Sequence, residues 1–127
     1  MKLLLDTCTF LWIASDDPAL SSVARHLFLT ADEVWMSAAS CQEIVVKHHL
    51  GKLPLAEAPA RYIPRVREAH GIATLPIDET DALHLSTLPS LHKDPFDRLL
   101  ISQSICKGLV LLTPDPLIHA YPVRWEW

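Results

Sequence analysis

At 127 residues, half of them hydrophobic and a fifth charged, the chain is long enough to bury a core as one domain and too apolar for intrinsic disorder. A formal net charge of −4 argues against nucleic-acid binding driven by overall positive charge. No apolar run nears the roughly 18 residues of a membrane span. Asp6 interrupts the opening Met-Lys-Leu-Leu-Leu before a signal-peptide core forms. Three cysteines (Cys8, Cys41 and Cys106) leave one unpaired in any disulfide scheme and show no C-x-x-C pairing. They read as reduced thiols, so the expectation is a single cytoplasmic domain spanning 1–127.

Lys2–Leu5 reads as a short buried strand, and Thr7 or Thr9 opens a helix carrying Phe10, Leu11, Trp12 and Ile13. Pro18 breaks that pattern, and Ser21 or Ser22 caps a second helix with Val23, Leu27 and Phe28 inward. Residues 33–36 form a second strand; a helix then starts at Ser37 or Ser40, runs through Leu50 and ends at Gly51. Residues 56–70 are helical, with Pro64 kinking the helix or marking a new first turn. Residues 72–77 form a third strand, and Asp78 caps a short helix over Ala82, Leu83 and Leu85 that Pro89 stops. Asp94-Pro95 opens the clearest helix, which runs to Lys107 with Gly108 as its stop. Residues 109–112 are a continuous apolar strand, Asp115-Pro116 begins a last helical turn, and 123–125 suit an edge strand. Short apolar strands alternating with helices indicate an α/β fold with a largely parallel sheet.

Functional groups in such sheets collect at the carboxyl ends of the strands. Asp6 follows the first strand, and Asp115 follows the 109–112 strand through Thr113 and Pro114. Asp97 lies in the first turn of the helix before that strand. Glu43 sits among Ile44, Val45 and Val46, where an unpaired carboxylate is costly to desolvate. Four acids thus have reason to meet at one sheet edge, and an all-oxygen set suits a hard cation such as Mg²⁺ or Mn²⁺.

Each acid also has a plainer use. Asp6 caps the first helix, and Glu43 pairs with Lys47 four residues on, for a few tenths of a kcal/mol. Asp94 is an N-cap with Pro95 at the first helical position, and Asp97 completes something like a capping box. Asp115-Pro116 repeats the cap-plus-proline device. Lys47, Lys52, Arg61, Arg65 and Arg67, with His48 and His49, share a stretch poor in acids and form a phosphate-contacting surface or a solvated face. His26, His70, His84 and His119 lack metal-ligand spacing and read as surface or core-edge residues.

Leu3-Leu4-Leu5-Asp6-Thr7, Ser37-Ala38-Ala39-Ser40-Cys41-Gln42-Glu43-Ile44, Asp94-Pro95-Phe96-Asp97-Arg98-Leu99-Leu100-Ile101 and Leu112-Thr113-Pro114-Asp115 resemble successive motifs of PIN-domain proteins. His92 to Ile101 is similar to the H-x-D-P-F-D-R-L-L-I segment of the VapC-like branch, the toxin ribonucleases of toxin–antitoxin pairs. The resemblance covers almost the whole chain in order; the Asp-Pro-Phe-Asp-Arg run is specific, whereas the isolated Asp-Thr and Thr-x-Asp pieces are weak. It implies a three-layer α/β/α fold with a mostly parallel central sheet. It also implies a catalytic, metal-binding set of Asp6, Glu43, Asp97 and Asp115 holding one or two Mg²⁺ or Mn²⁺ ions. Asp94 and Thr113 are secondary candidates, with the cap use favoured for Asp94.

The implied reaction is RNA phosphodiester hydrolysis leaving a 5′-phosphate, with Arg98 and Lys47 contacting the substrate backbone. Implied partners are a second copy of the chain and an antitoxin peptide across the acidic cleft. Lys47 and Gly51-Lys52-Leu53 resemble the branch's K-x-x-x-G-K-L stretch. Cys8 stands where many relatives have His, and Gln42 where many have Trp. Neither departure removes an acid; both bear on substrate or partner contacts. Trp12 and Trp35 read as core. Trp125 and Trp127, at the end of the chain, suit a homodimer or antitoxin contact, or else fold back onto their own sheet edge.

Other classes fit less well. A haloacid-dehalogenase-like phosphatase needs a second carboxylate where Cys8 stands. A receiver-type signalling domain needs adjacent acids after the first strand and a lysine after the last, and Thr113-Pro114-Asp115 offers none. Two alternatives stay open: a PIN nuclease for RNA processing without an antitoxin, and a non-catalytic PIN scaffold. Degenerate scaffolds usually lose acids, and here all four positions are filled.

Overall fold

A computed structural model describes residues 1–127. Strands β1 (Lys2–Leu5), β2 (Glu33–Ser37), β3 (Ala73–Leu75), β4 (Val110–Leu112) and β5 (Trp125–Glu126) form one sheet in the order β3-β2-β1-β4-β5. Every neighbouring pair is parallel. The helices are α1 (Thr7–Ser15), α2 (Ser22–Thr30), α3 (Ala38–His49), α4 (Pro59–His70), α5 (Glu79–His84), α6 (Pro95–Lys107) and α7 (Pro116–His119).

The apolar run of β1 explains the layering. Side chains alternate across a strand, and Leu3, Leu4 and Leu5 are all fully buried, so both faces of the sheet must be covered. Leu3 and Leu5 enter a core with Phe10, Ile13, Ile44 and Val66, supplied by α1, α3 and α4. Leu4 enters a second core with Leu100, Ile101 and Ile118, supplied by α6 and α7. The result is the expected α/β/α sandwich. No helix is long and apolar enough to cross a membrane.

Several boundaries differ from the sequence reading for local reasons. In α2 the buried stripe is Ala24, Leu27 and Phe28, an i, i+3, i+4 set, so Val23 turns to solvent. The helix expected over 56–70 begins at Pro59, whose ring suits a first helical position, and Pro64 lies within it without ending it. Pro76 has no N–H for the ladder, and β3 stops at Leu75. The last strand falls at Trp125–Glu126 instead of 123–125. Gly108 ends α6 at φ +67, the left-handed conformation that a side chain disfavours.

The chain adds β2 and β3 on one side of β1, then crosses to place β4 and β5 on the other. Strand order therefore reverses between β1 and β4, and a crevice opens beyond their carboxyl ends. The backbone N–H of Asp6 donates to Leu112 O at 3.2 Å, and Thr9 Oγ1 donates to the same carbonyl at 2.8 Å. These bonds set the ends of the two strands side by side.

Candidate active site

The four expected acids face one open cleft of about 360 Å³ at this crevice, together with Asp94, Lys47 and Lys52. Asp6 caps α1 by accepting from Thr7 N at 2.7 Å, and its second oxygen accepts from Thr113 Oγ1 at 2.7 Å. The plain and functional uses of Asp6 thus coexist, and the buried Thr113 hydroxyl fixes the carboxylate plane. Glu43 is buried on α3. It accepts from Thr7 Oγ1 at 2.6 Å and from Lys47 Nζ at 2.5 Å. The expected helix ion pair is therefore present inside the cleft. Asp115 stands on the rim, where Oδ1 caps α7 through Leu117 N at 2.9 Å.

Asp94 and Asp97 divide their roles. Asp94 Oδ1 accepts from the backbone N–H groups of Phe96 and Asp97 at 2.9 and 3.1 Å, the N-cap bonds of α6. Asp97 does not turn back to complete a capping box; its Oδ2 meets His92 Nε2 at 3.0 Å. The reciprocal box of this chain lies at Asp78 and Asp81 instead.

Arg98 is placed differently from the expectation. Its guanidinium donates to Pro89 O at 2.8 Å and to the Tyr121 hydroxyl at 3.0 Å, and it does not line the cleft. It ties the loop before α6 to the helix, so the substrate contact expected of it is replaced by a structural one. Of the basic stretch, only Lys47 and Lys52 reach the cleft. Arg65 pairs with Glu57, and Arg67 points to Ile72 O at 3.5 Å, both on α4. His48 Nδ1 lies 2.9 Å from Leu53 O, bracing the loop that presents Lys52. Gln42 is exposed and outside the cleft, whereas Cys8 lines it, with Sγ 3.7 Å from Asp6 Oδ2.

The C-terminal tryptophans fold back onto their own domain. Trp125 stacks on His119 with ring centroids 3.4 Å apart, and Trp127 packs on Trp12 at 5.8 Å. Parallel pairing with β4 fixes Trp125 beside His119, yet Trp125 stays exposed, whereas Trp127 is half-buried against Trp12. Sequence reasoning missed His92, His119 and Tyr121. His119 Nε2 sits 2.7 Å from Thr113 O, supporting the residue that orients Asp6. Only His92 carried a signal, five residues ahead of Asp97 at the head of the Asp-Pro-Phe-Asp run.

The PIN domain family model matches residues 3–123. The chain belongs to the PIN domain family. Its fold is similar to that of VapBC2 from Rickettsia felis bound to a DNA fragment from its promoter, with TM-score 0.74 and 16% identity over 99% of this chain and 98% of that one. DNA-bound VapBC from Salmonella typhimurium follows at 0.70 and 20%, covering 99% and 97%. VapBC-1 from nontypeable Haemophilus influenzae gives 0.66 and 19%, again over 99% and 97%. No curated protein matches the chain in sequence.

The electrostatics of this PIN domain follow from burial first and from crowding second. Burial pushes Asp97 up to about 6, the charges of Asp6, Asp94 and Asp115 add to the rise, and the His92 hydrogen bond offsets part of it. Asp6 is raised by burial and then by Glu43, against the bonds from Thr113 and Thr7. Burial and the Asp6 charge lift the Cys8 thiol to about 12, so a neutral S–H faces Asp6. The bond to Glu43 raises Lys47, and Asp94 and Asp97 add to it, making this lysine the cleft's resident counter-charge. As placed, no three of the acids converge closely enough to hold one ion between them. The donor set is nevertheless all hard oxygen, and its excess negative charge is the kind a divalent cation relieves.

Proposed function

We propose that this PIN domain is a metal-dependent endoribonuclease and the toxin of a type II toxin–antitoxin pair. The observation that carries the reading is the cleft at the β1/β4 switch point, where Asp6, Glu43, Asp97 and Asp115 gather beside Lys47 and Lys52. The resemblance of His92–Ile101 to the VapC-like motif and the likeness to VapBC structures support the toxin assignment.

Asp6, Asp97 and Asp115, with Glu43, would hold one or two Mg²⁺ or Mn²⁺ ions, which supply an activated water and neutralise charge on a phosphate. Thr113 and Thr7 hold the Asp6 carboxylate in one plane through its two oxygens. Lys47 exchanges its bond to Glu43 for the phosphate of an entering RNA strand, and Lys52 extends the cationic rim along the backbone. The N-terminus of α6 adds positive potential at the same point. Three free cysteines suit a reducing cytoplasm. An antitoxin segment carrying basic residues would neutralise the cleft, and a homodimer is part of the same reading.

Incubating the purified protein with total RNA in Mn²⁺ or Mg²⁺, followed by end mapping, tests the proposal. Defined cuts bearing 5′-phosphates are expected. RNA left intact under both metals would leave the non-catalytic scaffold as the better reading, and cleavage without a neighbouring antitoxin gene would favour a processing nuclease.

A further inference from the structure

Asp81 and Asp97 occupy equivalent places, each the third residue of a helix whose N-cap is aspartate. A carboxylate there ordinarily turns back to the N-cap backbone N–H. Asp81 does so, accepting from Asp78 N at 3.1 Å. Asp97 does not, and the difference lies in what stands beside it: His92 Nε2, 3.0 Å from Oδ2. Both side chains are nearly buried, and His92 itself does not line the cleft.

The protonation of that imidazole is fixed by counting. Tyr121 is buried, and its hydroxyl lies 3.2 Å from the His92 backbone N–H, 3.0 Å from an Arg98 N–H and 2.7 Å from His92 Nδ1. A phenol oxygen has two lone pairs and one proton. The backbone amide and the guanidinium can only donate, so they occupy both lone pairs. The phenol proton is left for His92 Nδ1, which therefore accepts. A neutral ring then carries its own proton on Nε2, where it donates to Asp97. Arg98, anchored also to Pro89 O at 2.8 Å, keeps the arrangement from reversing because its guanidinium stays protonated.

We propose that His92 is a positioning residue for Asp97: in a tautomer imposed by Tyr121 and Arg98, its Nε2–H draws the carboxylate out of a capping box and presents it to the cleft. Oδ1 makes no hydrogen bond within the chain, so it is the oxygen this arrangement reserves for a cation. The proposal rests on the reading of Asp97 as a metal ligand. It assigns His92 no contact with substrate and no proton transfer.

The test combines Mn²⁺ affinity, read from the paramagnetic resonance of free Mn²⁺, with the ¹⁵N spectrum of the His92 ring in metal-free wild type. His92→Leu should fold, because Asp97 then returns to the Asp94 N–H, yet bind Mn²⁺ about 10- to 100-fold more weakly. His92→Gln keeps an amide N–H near the Nε2 position and should restore most of the affinity; His92→Asn, whose amide reaches only the Nδ1 position, should not. At about pH 9, above the imidazole range, the wild-type ring should be protonated on Nε2 alone. Equal Mn²⁺ affinity in wild type and His92→Leu would overturn the proposal, as would failure of His92→Gln to outperform His92→Leu. A ring protonated on Nδ1 would overturn it even if His92→Leu does not fold. Absence of Mn²⁺ binding by wild type would overturn the metal reading as well, and is distinguished by the wild-type titration alone.

Discussion

Replacing Asp97 by asparagine should make the metal-free protein more stable while abolishing cleavage. Asp97 titrates at about 6 in the fold against an ordinary 3.8, so the folded protein takes up its proton before the unfolded chain does. The associated stability is fully present below about pH 4 and is lost as pH rises through about 6. At ~1.4 kcal/mol per pKa unit, the gap bounds the cost of the ionised carboxylate at about 3 kcal/mol. Water in the open cleft offsets much of the burial penalty and screens the repulsion, and about 1 kcal/mol is the expected remainder at neutral pH. For 127 residues that corresponds to a Tm higher by about 3 to 5 °C. Asparagine can still accept from His92 and still present a backbone N–H to Asp94, so little else changes. Thermal melts of both proteins in chelator, at about pH 7 and about pH 5, should show a gap that narrows at the lower pH. RNA cleavage should fall by on the order of 100-fold or more. An Asp97→Asn protein that is less stable at both pH values, or that cleaves RNA at the wild-type rate, would refute the assignment.

Other outcomes follow from the same geometry. Thr113→Val strands Asp6 Oδ2 without its hydroxyl donor and should lower stability by about 1–3 kcal/mol in urea titrations, with Thr113→Ser close to wild type. Asp94→Asn preserves a good N-cap, so stability should change by less than about 1 kcal/mol and cleavage should persist. Trp127→Ala should cost about 1–3 kcal/mol by exposing Trp12, with no change in sedimenting mass, since the ring packs within its own domain.

The layering and the cleft were legible because they rest on local signals. Leu3-Leu4-Leu5 announces a strand covered on both faces, and Asp6 and Asp115 follow strands that parallel pairing sets side by side. The Asp94-Pro95 cap was equally plain. What the sequence hid depends on contacts across distance. Asp97 carries the same capping-box signature as Asp81, and only the meeting of His92 with Tyr121, 29 positions apart, separates their fates. Arg98 beside Asp97 looked like a substrate contact until Pro89 and Tyr121 claimed its guanidinium. Trp125 and Trp127 looked uncovered because their cover, His119 and Trp12, is supplied by α7 and α1.

The acids line one cleft without yet converging on a point, so the claim most in need of measurement is that they act together as a cation site. Melting the wild-type protein and Asp6→Asn across a Mn²⁺ titration measures it directly. Binding to the folded form alone should stabilise wild type by an amount that keeps growing with the logarithm of Mn²⁺ concentration above Kd, about 2.7 kcal/mol at a hundredfold excess. Asp6→Asn, which keeps the cap of α1 but loses the charge, should show little of this. A wild-type Tm that stays flat through millimolar Mn²⁺, or an equal rise in Asp6→Asn, would contradict a cation site built on these carboxylates.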